Sequence, residues 1–436
     1  MILARKSKVG VVFAAAFGSA LILSACSSVL GFDSLTLLPG EGGLPSEGGQ
    51  DGPAGDGPNP DLDGGPEAAP TCVGVDLMTD KKHCGRCNHD CLGADCLAGT
   101  CKPILLADGL ADPEGLVVDD SNVFVAENYL DRIARFGKNA LGPCTTPPLP
   151  AACLFTATNV YRPTGMGIDG TNVYWVNGGG AAEVRSCPRK TCGGKTPTLI
   201  AGLTGNTFDH ILGNGLLPLE LVVRSGQVFW PESGGGAIRS APVSGSGPVT
   251  TYLTSSSFAP LAIAVDDDFV YFTDDTNQHQ TQIAAVPRAG APGAVKVVAT
   301  TPARPYGITL NDATGNLYWT VPFVSEDGDG LVQAAAKTAD GGAPLGAVAT
   351  QQDEPRAITV DSVNVYWLLT GTVGAATGQV VYCPLKGCPV DGPIVLASAQ
   401  RVPKHITQDE TAIYWSNEGT SGSATFNGQV LKIAKP

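Results

Sequence analysis

Histidine and methionine are scarce in this 436-residue chain, five and three in all, and charged side chains make up only 16% of it. The five histidines, His83, His89, His210, His279 and His405, are spread over the whole length, and no H-E-x-x-H pair of the zinc-protease kind occurs. A glycine-rich phosphate loop and a G-x-S-x-G nucleophile elbow are missing as well, which removes the simplest routes to nucleotide chemistry and serine hydrolysis. Basic residues are outnumbered, 27 Lys plus Arg against 41 Asp plus Glu. That balance argues against nucleic acid and anionic membrane surfaces as partners. From residue 103 onward no stretch keeps helical periodicity over three turns, so a helical solenoid is excluded. Tryptophan is also rare, with five in all, and its placement is the strongest signal in the chain.

Every tryptophan occupies one slot of a recurring phrase: proline, two variable residues, a short apolar run, a polar turn, then Asn-Val-Tyr-Trp or a variant. The phrase begins at Pro113, Pro163, Pro218, Pro260, Pro305, Pro355 and Pro403, and its slot holds Val125, Trp175, Trp230, Phe272, Trp319, Trp367 and Trp415. Each copy has an aromatic just before the slot, from Phe124 to Tyr414. A period of 42 to 55 residues marks a repeat architecture. Within a copy the pattern is that of strands: in the second, Met166–Ile168, Val173–Val176, Ala182–Ser186 and Thr198–Ile200, with Asp169-Gly170-Thr171-Asn172 as a turn. Four strands per copy make one blade of a β-propeller, and the aromatic pair is expected to fill the space between blades. The last copy has only three strands before the chain ends, while 103–107 resembles the fourth strand of other copies. The expected fold is therefore all-β: a seven-bladed propeller over 102–436, closed by an N-terminal strand at 103–107 that joins the last blade.

The phrase resembles the YWTD, or low-density-lipoprotein-receptor class B, repeat, best in Ile263-Ala264-Val265-Asp266, Val270-Tyr271-Phe272-Thr273-Asp274 and Gln282-Ile283. YWTD propellers have six blades, and the Asp after the aromatic pair survives here only in the fourth copy. Bacterial lyase and lactonase propellers and NHL-type binding propellers share the phrase. The resemblance implies a fold and leaves the function open.

Residues 1–25 read as a leader: Arg5, Lys6 and Lys8, then the apolar run Val9–Leu23, too short for a comfortable membrane span. Leu23-Ser24-Ala25-Cys26 resembles a bacterial lipobox. The resemblance implies a lipidated Cys26 as the first mature residue, acyl chains such as palmitate holding the protein to a membrane, and, with Ser27 and Ser28 following, the outer membrane of a Gram-negative envelope. Without the leader's three basic residues the net charge is near −17. Residues 26–71 carry eight of the acids and no base among many Gly and Pro, and read as an unfolded tether. Its aspartates could otherwise bind calcium.

The thirteen cysteines divide into Cys26, a cluster over 72–101 and three close pairs. The cluster is Cys72, Cys84, Cys87, Cys91, Cys96 and Cys101. Zinc is one reading of the Cys84–Cys87 spacing beside His83 and His89. Export favours a disulfide framework, whose connectivity spacing does not choose. The Cys-Gly-x-Cys core and the closing Cys-x-x-x-x-Cys resemble the small module of stigma-specific-like proteins. The pairs Cys144 with Cys153, Cys187 with Cys192, and Cys383 with Cys388 fall between third and fourth strands and read as hairpin staples.

In a propeller the loops before the first strand and after the second share one face around the channel mouth, and here these are the long ones. The residues after each repeat proline, among them Glu114, Tyr306, Arg356 and Lys404, are expected at that mouth. The next position is mostly Gly or Ala, except for Glu220 and His405. Glu114, Glu220, Tyr306, Arg356, Lys404 and His405 are thus the candidate binding residues, and no catalytic residue or cofactor is assigned. Glu326, Asp327 and Asp329 resemble part of a calcium loop but lack its ligand ladder. The expected function is a lipid-tethered envelope module that binds a protein, peptide or glycan. The alternative is a propeller enzyme, a lyase or lactonase-type hydrolase, working at the mouth through Glu114, Glu220 and His405. A purely structural surface protein is the third reading.

Overall fold

The computed structural model describes residues 72–436 except 140–143, 145–149, 179–181, 193–194, 204–220, 275–280, 290–291, 326–327, 342–343, 373–374 and 420–425. Seven four-stranded antiparallel sheets follow one another around a ring. Blade two shows the plan: Pro163–Ile168, Asn172–Asn177, Glu183–Pro188 and Thr198–Gly202, in that order across the sheet. First strands contact the first strands of neighbouring blades and so line the centre.

The ring closes as the strand count demands. Ile104–Leu110 pairs antiparallel with Gly428–Ala434, completing the last blade with a strand from the start of the repeat region. The strand runs further than residue 107, because two register shifts and Gly109 at φ 72° let it bend and continue to Leu110. No open edge is left between the first and last blades.

The aromatic pair works by strand alternation. Neighbouring residues on a strand face opposite sides of the sheet, so the aromatic before the slot packs against the next blade and the slot residue against the previous one. The seven apolar clusters are the seven blade–blade interfaces, each joining such a pair: Phe124 with Trp175, Tyr174 with Trp230, Phe229 with Phe272, Tyr271 with Trp319, Tyr318 with Trp367, Tyr366 with Trp415, and Tyr414 with Val125. All five tryptophans are fully buried. Deleting one would open a large cavity at a cost of about 3–5 kcal/mol.

The turn between first and second strands carries a second recurring device. Asp169 accepts the backbone N–H groups of Thr171 and Asn172 on one oxygen and the hydroxyl of Tyr174 on the other, at 2.7 Å. Asp266 with Tyr271, Asp361 with Tyr366, and Asp409 with Tyr414 repeat it at 2.8–2.9 Å. Three of these aspartates also take a lysine from the following blade: Lys337 on Asp266 at 2.6 Å, Lys435 on Asp361 at 3.0 Å and Lys138 on Asp409 at 2.7 Å.

Residues 72–101 form a small unit held by Cys72–Cys87, Cys84–Cys96 and Cys91–Cys101. The Cys84, Cys91 and Cys101 sulfurs converge within 4.8 Å, but each is committed to a disulfide. Buried Cys84, Cys91, Cys96 and Cys101 share an apolar cluster with Tyr366, Ile413, Trp415 and Ile433, so the unit caps blades six and seven. His89 bridges the Cys84 and Lys435 carbonyl oxygens at 2.6 and 2.9 Å. The other pairs, Cys144–Cys153, Cys187–Cys192 and Cys383–Cys388, are disulfides between the third strand, or the loop after it, and the approach to the fourth.

Candidate functional site

The repeat prolines place the site. Proline lacks a ladder donor and is tolerated at the first position of a strand, where Pro113, Pro163, Pro260, Pro355 and Pro403 stand. In blades one, two, four and six the pairing register then shifts before the residue three places on. In blade seven it shifts between Pro403 and His405. A bulge re-aims the side chain it carries. It turns Glu114, Thr164, Leu261, Arg356 and Lys404 toward the ring centre, and all five are buried.

The position after them is small because first strands crowd there. A Cβ on Gly307 would lie 2.6 Å from the Arg356 carbonyl oxygen. Hydroxyls on second strands then lock the crowded backbone. Thr273 accepts from the Ala262 N–H at 3.0 Å and donates to the Tyr306 carbonyl at 2.9 Å. Thr320 accepts from the Gly307 N–H at 3.0 Å and donates to the Arg356 carbonyl at 2.6 Å. In blade seven the small residue is replaced by His405, whose backbone N–H donates to the Ser416 hydroxyl at 3.3 Å.

Lys404 is the hub of the mouth. Its ammonium donates to Asp112 and Glu114 at 2.8 Å each and lies 3.4 Å from Glu418. Arg356 contacts Glu354 at 3.3 Å and stands with its guanidinium 5.1 Å from the centre of the Tyr306 ring. Glu114, Tyr306, Arg356 and Lys404, from blades one, five, six and seven, therefore gather at one end of the channel, with His405 next to Lys404 in the chain. Glu220 lies outside the described residues, as do Cys26, Glu326 and Asp327. Asp329 accepts from the Val324 N–H at 2.8 Å and from the Ser325 N–H and hydroxyl at 2.6 Å, closing its own loop.

Asp112, Glu354 and Glu418 were not anticipated. The first two immediately precede a repeat proline, and an acid at that place is the signal that would have found them. Asp112, Arg162, Glu354 and Val402, each just before a repeat proline, have φ between 45° and 53°. This left-handed backbone is costly for a residue with a Cβ, and such strain concentrates at functional positions.

Three carboxylates share one ammonium here, and the surplus sets the protonation. Burial pushes Glu114 up to about 7; Lys404 pulls against this, while Asp112 and Glu418 add to it. Burial works against charge on Lys404, yet Glu114, Asp112 and Glu418 outweigh it and hold the ammonium above the usual lysine range. Both shifts belong to one buried cluster: the lysine stays charged, and burial favours the protonated form of Glu114. Burial pushes Tyr306 up to about 12, with Arg356 opposing, and pushes His405 down to about 4.

Four buried polar atoms of this ring have no hydrogen-bond partner among the described residues: Glu114 Oε2, Thr164 Oγ1, Arg356 Nε and His405 Nδ1. Nine such atoms occur among the described residues, and four of them belong to this ring. Native interiors rarely leave polar atoms unmatched, so bound water or an outside partner meets these four.

No known family pattern matches the chain, and no curated protein matches it. Many solved structures share its fold. One is virginiamycin B lyase from Staphylococcus aureus, 14% identical with a TM-score of 0.54, covering 77% of this chain and 99% of that one. A streptogramin B lyase is 15% identical with a TM-score of 0.51, covering 77% and 97%. The WD40 β-propeller domain of Doa1 is 11% identical with a TM-score of 0.50, covering 77% and 97%. At these identities the likeness concerns the fold: a lyase and a WD40 propeller resemble this chain about equally, so the site must speak for itself.

Proposed function

We propose that this chain is an envelope lipoprotein whose propeller binds a small polar ligand, or the polar end of a larger one, at the channel mouth. The observation that carries the reading is the set of unmatched polar atoms on Glu114, Thr164, Arg356 and His405 around the Lys404 hub. Arg356 offers a donor of fixed charge, Lys404 holds the acids around it in place, and the remaining groups accept or donate as the ligand requires. The fold supports a binding role, since the mouth gathers side chains from separate blades on a rigid ring. The lipobox-like Leu23-Ser24-Ala25-Cys26 and the acidic tether after it support attachment through Cys26, with the ring held off the surface.

The binding reading is tested by a thermal-shift screen of sugars, amino acids, peptides and carboxylic acids on the full chain. A ligand whose shift disappears in Arg356→Met and Thr164→Val supports it. Shifts that survive both changes would move the site elsewhere. Attachment is tested by Cys26→Ser, which should transfer the protein from the membrane fraction to the soluble one.

A second reading, a lyase or lactonase-type enzyme, is favoured by one observation. A carboxyl raised to about 7, as Glu114 is, suits a general acid or base at neutral pH. If Glu114→Gln leaves ligand affinity in place but abolishes turnover of the bound compound, the mouth is catalytic; a ligand recovered unchanged after long incubation removes that reading.

A further inference from the structure

Among the described residues only three aromatic side chains are exposed: Tyr129 at 72%, Tyr161 at 47% and Phe426 at 39%. All three stand on loops of the mouth face, in blades one, two and seven. Tyr129 and Phe426 meet across a blade boundary, their ring centres 5.6 Å apart and planes inclined at 51°. Tyr161 belongs to the same arc. Its neighbour Arg162 donates its N–H to Asp131 at 2.6 Å, two residues beyond Tyr129, and its own N–H is held by Asn177 at 3.1 Å.

The arc is tied to the charged hub by backbone. Asn128, next to Tyr129, donates its N–H to the Asp112 carbonyl at 3.1 Å, and the Asp112 carboxylate holds Lys404. On the other side Phe426 is two residues from Gly428, which packs against Pro113, the neighbour of Glu114. Of the other exposed apolar side chains, Leu130 and Val324 lie on loops of the same face and Val363 on a turn at the opposite end, while the rest lie on outer strands, the loops leading to them or the cysteine-rich unit. Among the described residues, exposed rings are thus confined to loops of the face that carries the Lys404 cluster.

Two chemistries adjoin. The mouth offers unmatched donors and acceptors in mixture, from Glu114, Thr164, Arg356 and His405. A sugar hydroxyl both donates and accepts, so a polyhydroxylated ring can meet all of them. Beside the mouth, flat rings stand in water with their faces available. A pyranose has one flat C–H face that stacks on such a ring, leaving its hydroxyls at the edge in water. Each fixed charge in the mouth already has an opposite charge beside it, and the carboxylates in excess disfavour an anionic guest.

The geometry points to a carbohydrate chain as the ligand, its terminal sugar in the mouth and the next one or two units laid on Tyr129, Phe426 and Tyr161. This rests on the mouth being the binding site and adds the ligand class and a second subsite. It predicts a dependence on chain length that a single small-molecule pocket would not show.

The test is calorimetric titration of the full chain with neutral cello-, malto- and chito-oligosaccharides of one to four units. In one series, affinity should rise about tenfold from one unit to two or three, as stacking on an added ring allows. Tyr129→Ala with Phe426→Ala should erase this gain and leave affinity for the single sugar unchanged, while Arg356→Met should weaken every length alike. Both aromatics are exposed, so the double variant should keep the native melting temperature. Affinity independent of length, a gain that survives the aromatic changes, or no binding of any series overturns the carbohydrate assignment. If no sugar binds but another small molecule binds and is lost in Arg356→Met, the mouth stands and only the carbohydrate inference fails. If Arg356→Met leaves all binding intact, the mouth itself is wrong.

Discussion

The two ends of the first strands are built on opposite principles. At the turn between first and second strands, an aspartate is matched to backbone donors and a tyrosine in blades two, four, six and seven, and in three of them to a lysine from the next blade. At the mouth, the corresponding position is Glu, Thr, Leu, Tyr, Arg or Lys according to the blade, and four polar atoms go unmatched. Repetition of one turn network is what a ring needs to close and stay closed, although Gln408 Oε1 beside Asp409 is also unmatched. Variation with unmatched groups contributes nothing to closure, and its cost in stability is the mark of a binding surface.

Four changes probe this contrast, in order of expected size. Lys404→Met leaves Glu114 buried beside two further acids with no counter-charge and should cost about 3–5 kcal/mol in chemical unfolding; adding Glu114→Gln to it should recover part of that loss. Asp409→Ala removes partners of the Thr411 and Ala412 N–H groups, the Tyr414 hydroxyl and Lys138. It should cost about 2–4 kcal/mol and leave ligand affinity at the mouth untouched; lost affinity would blur the two ends.

The third probe is pH. Glu114 sits near 7 in the fold against an ordinary 4.5, so the folded chain binds that proton more tightly than the unfolded one. Its contribution is complete below about 4.5 and is lost as pH rises through 7, with a slope of up to about 1.4 kcal/mol per pH unit. His405 runs the other way: held near 4 against 6.5, it favours the fold above 6.5 and loses that contribution as pH falls toward 4. Glu114→Gln should remove the loss on the alkaline side and leave the acid side as it was; an unchanged profile would show that Glu114 is not the titrating group. The smallest change is Thr320→Val, which breaks the bridge between Gly307 and the Arg356 carbonyl and should cost about 1 kcal/mol with a measurable loss of ligand affinity.

The ring was legible in the sequence because its signals are periodic. Proline, turn aspartate and aromatic pair recur at fixed offsets, and counting strands around Trp415 called for a closing strand at 103–107, where the structure has Ile104–Leu110. At the mouth, offset from the repeat proline sufficed to name Glu114, Tyr306, Arg356 and Lys404. Asp112, Glu354 and Glu418 escaped: the first two stand at a fixed place before the repeat proline and Glu418 in a loop after a second strand, but their meeting with Lys404 or Arg356 depends on ring closure and bulge geometry. The hydroxyl locks of Thr273 and Thr320 escaped for another reason. They join neighbouring blades, and nothing local in a strand shows which carbonyl lies across the interface.

The most direct test follows individual carboxyls of the full chain by carbon NMR through a pH titration, with and without a ligand found by the screen. Glu114 is predicted to titrate near 7 in the free chain and to move when ligand is added, while Asp409 stays far below the usual carboxylate range in both states. An ordinary midpoint for Glu114, or a ligand that moves Asp409 and not Glu114, would contradict the division between a repeated turn network and a variable, receptive mouth.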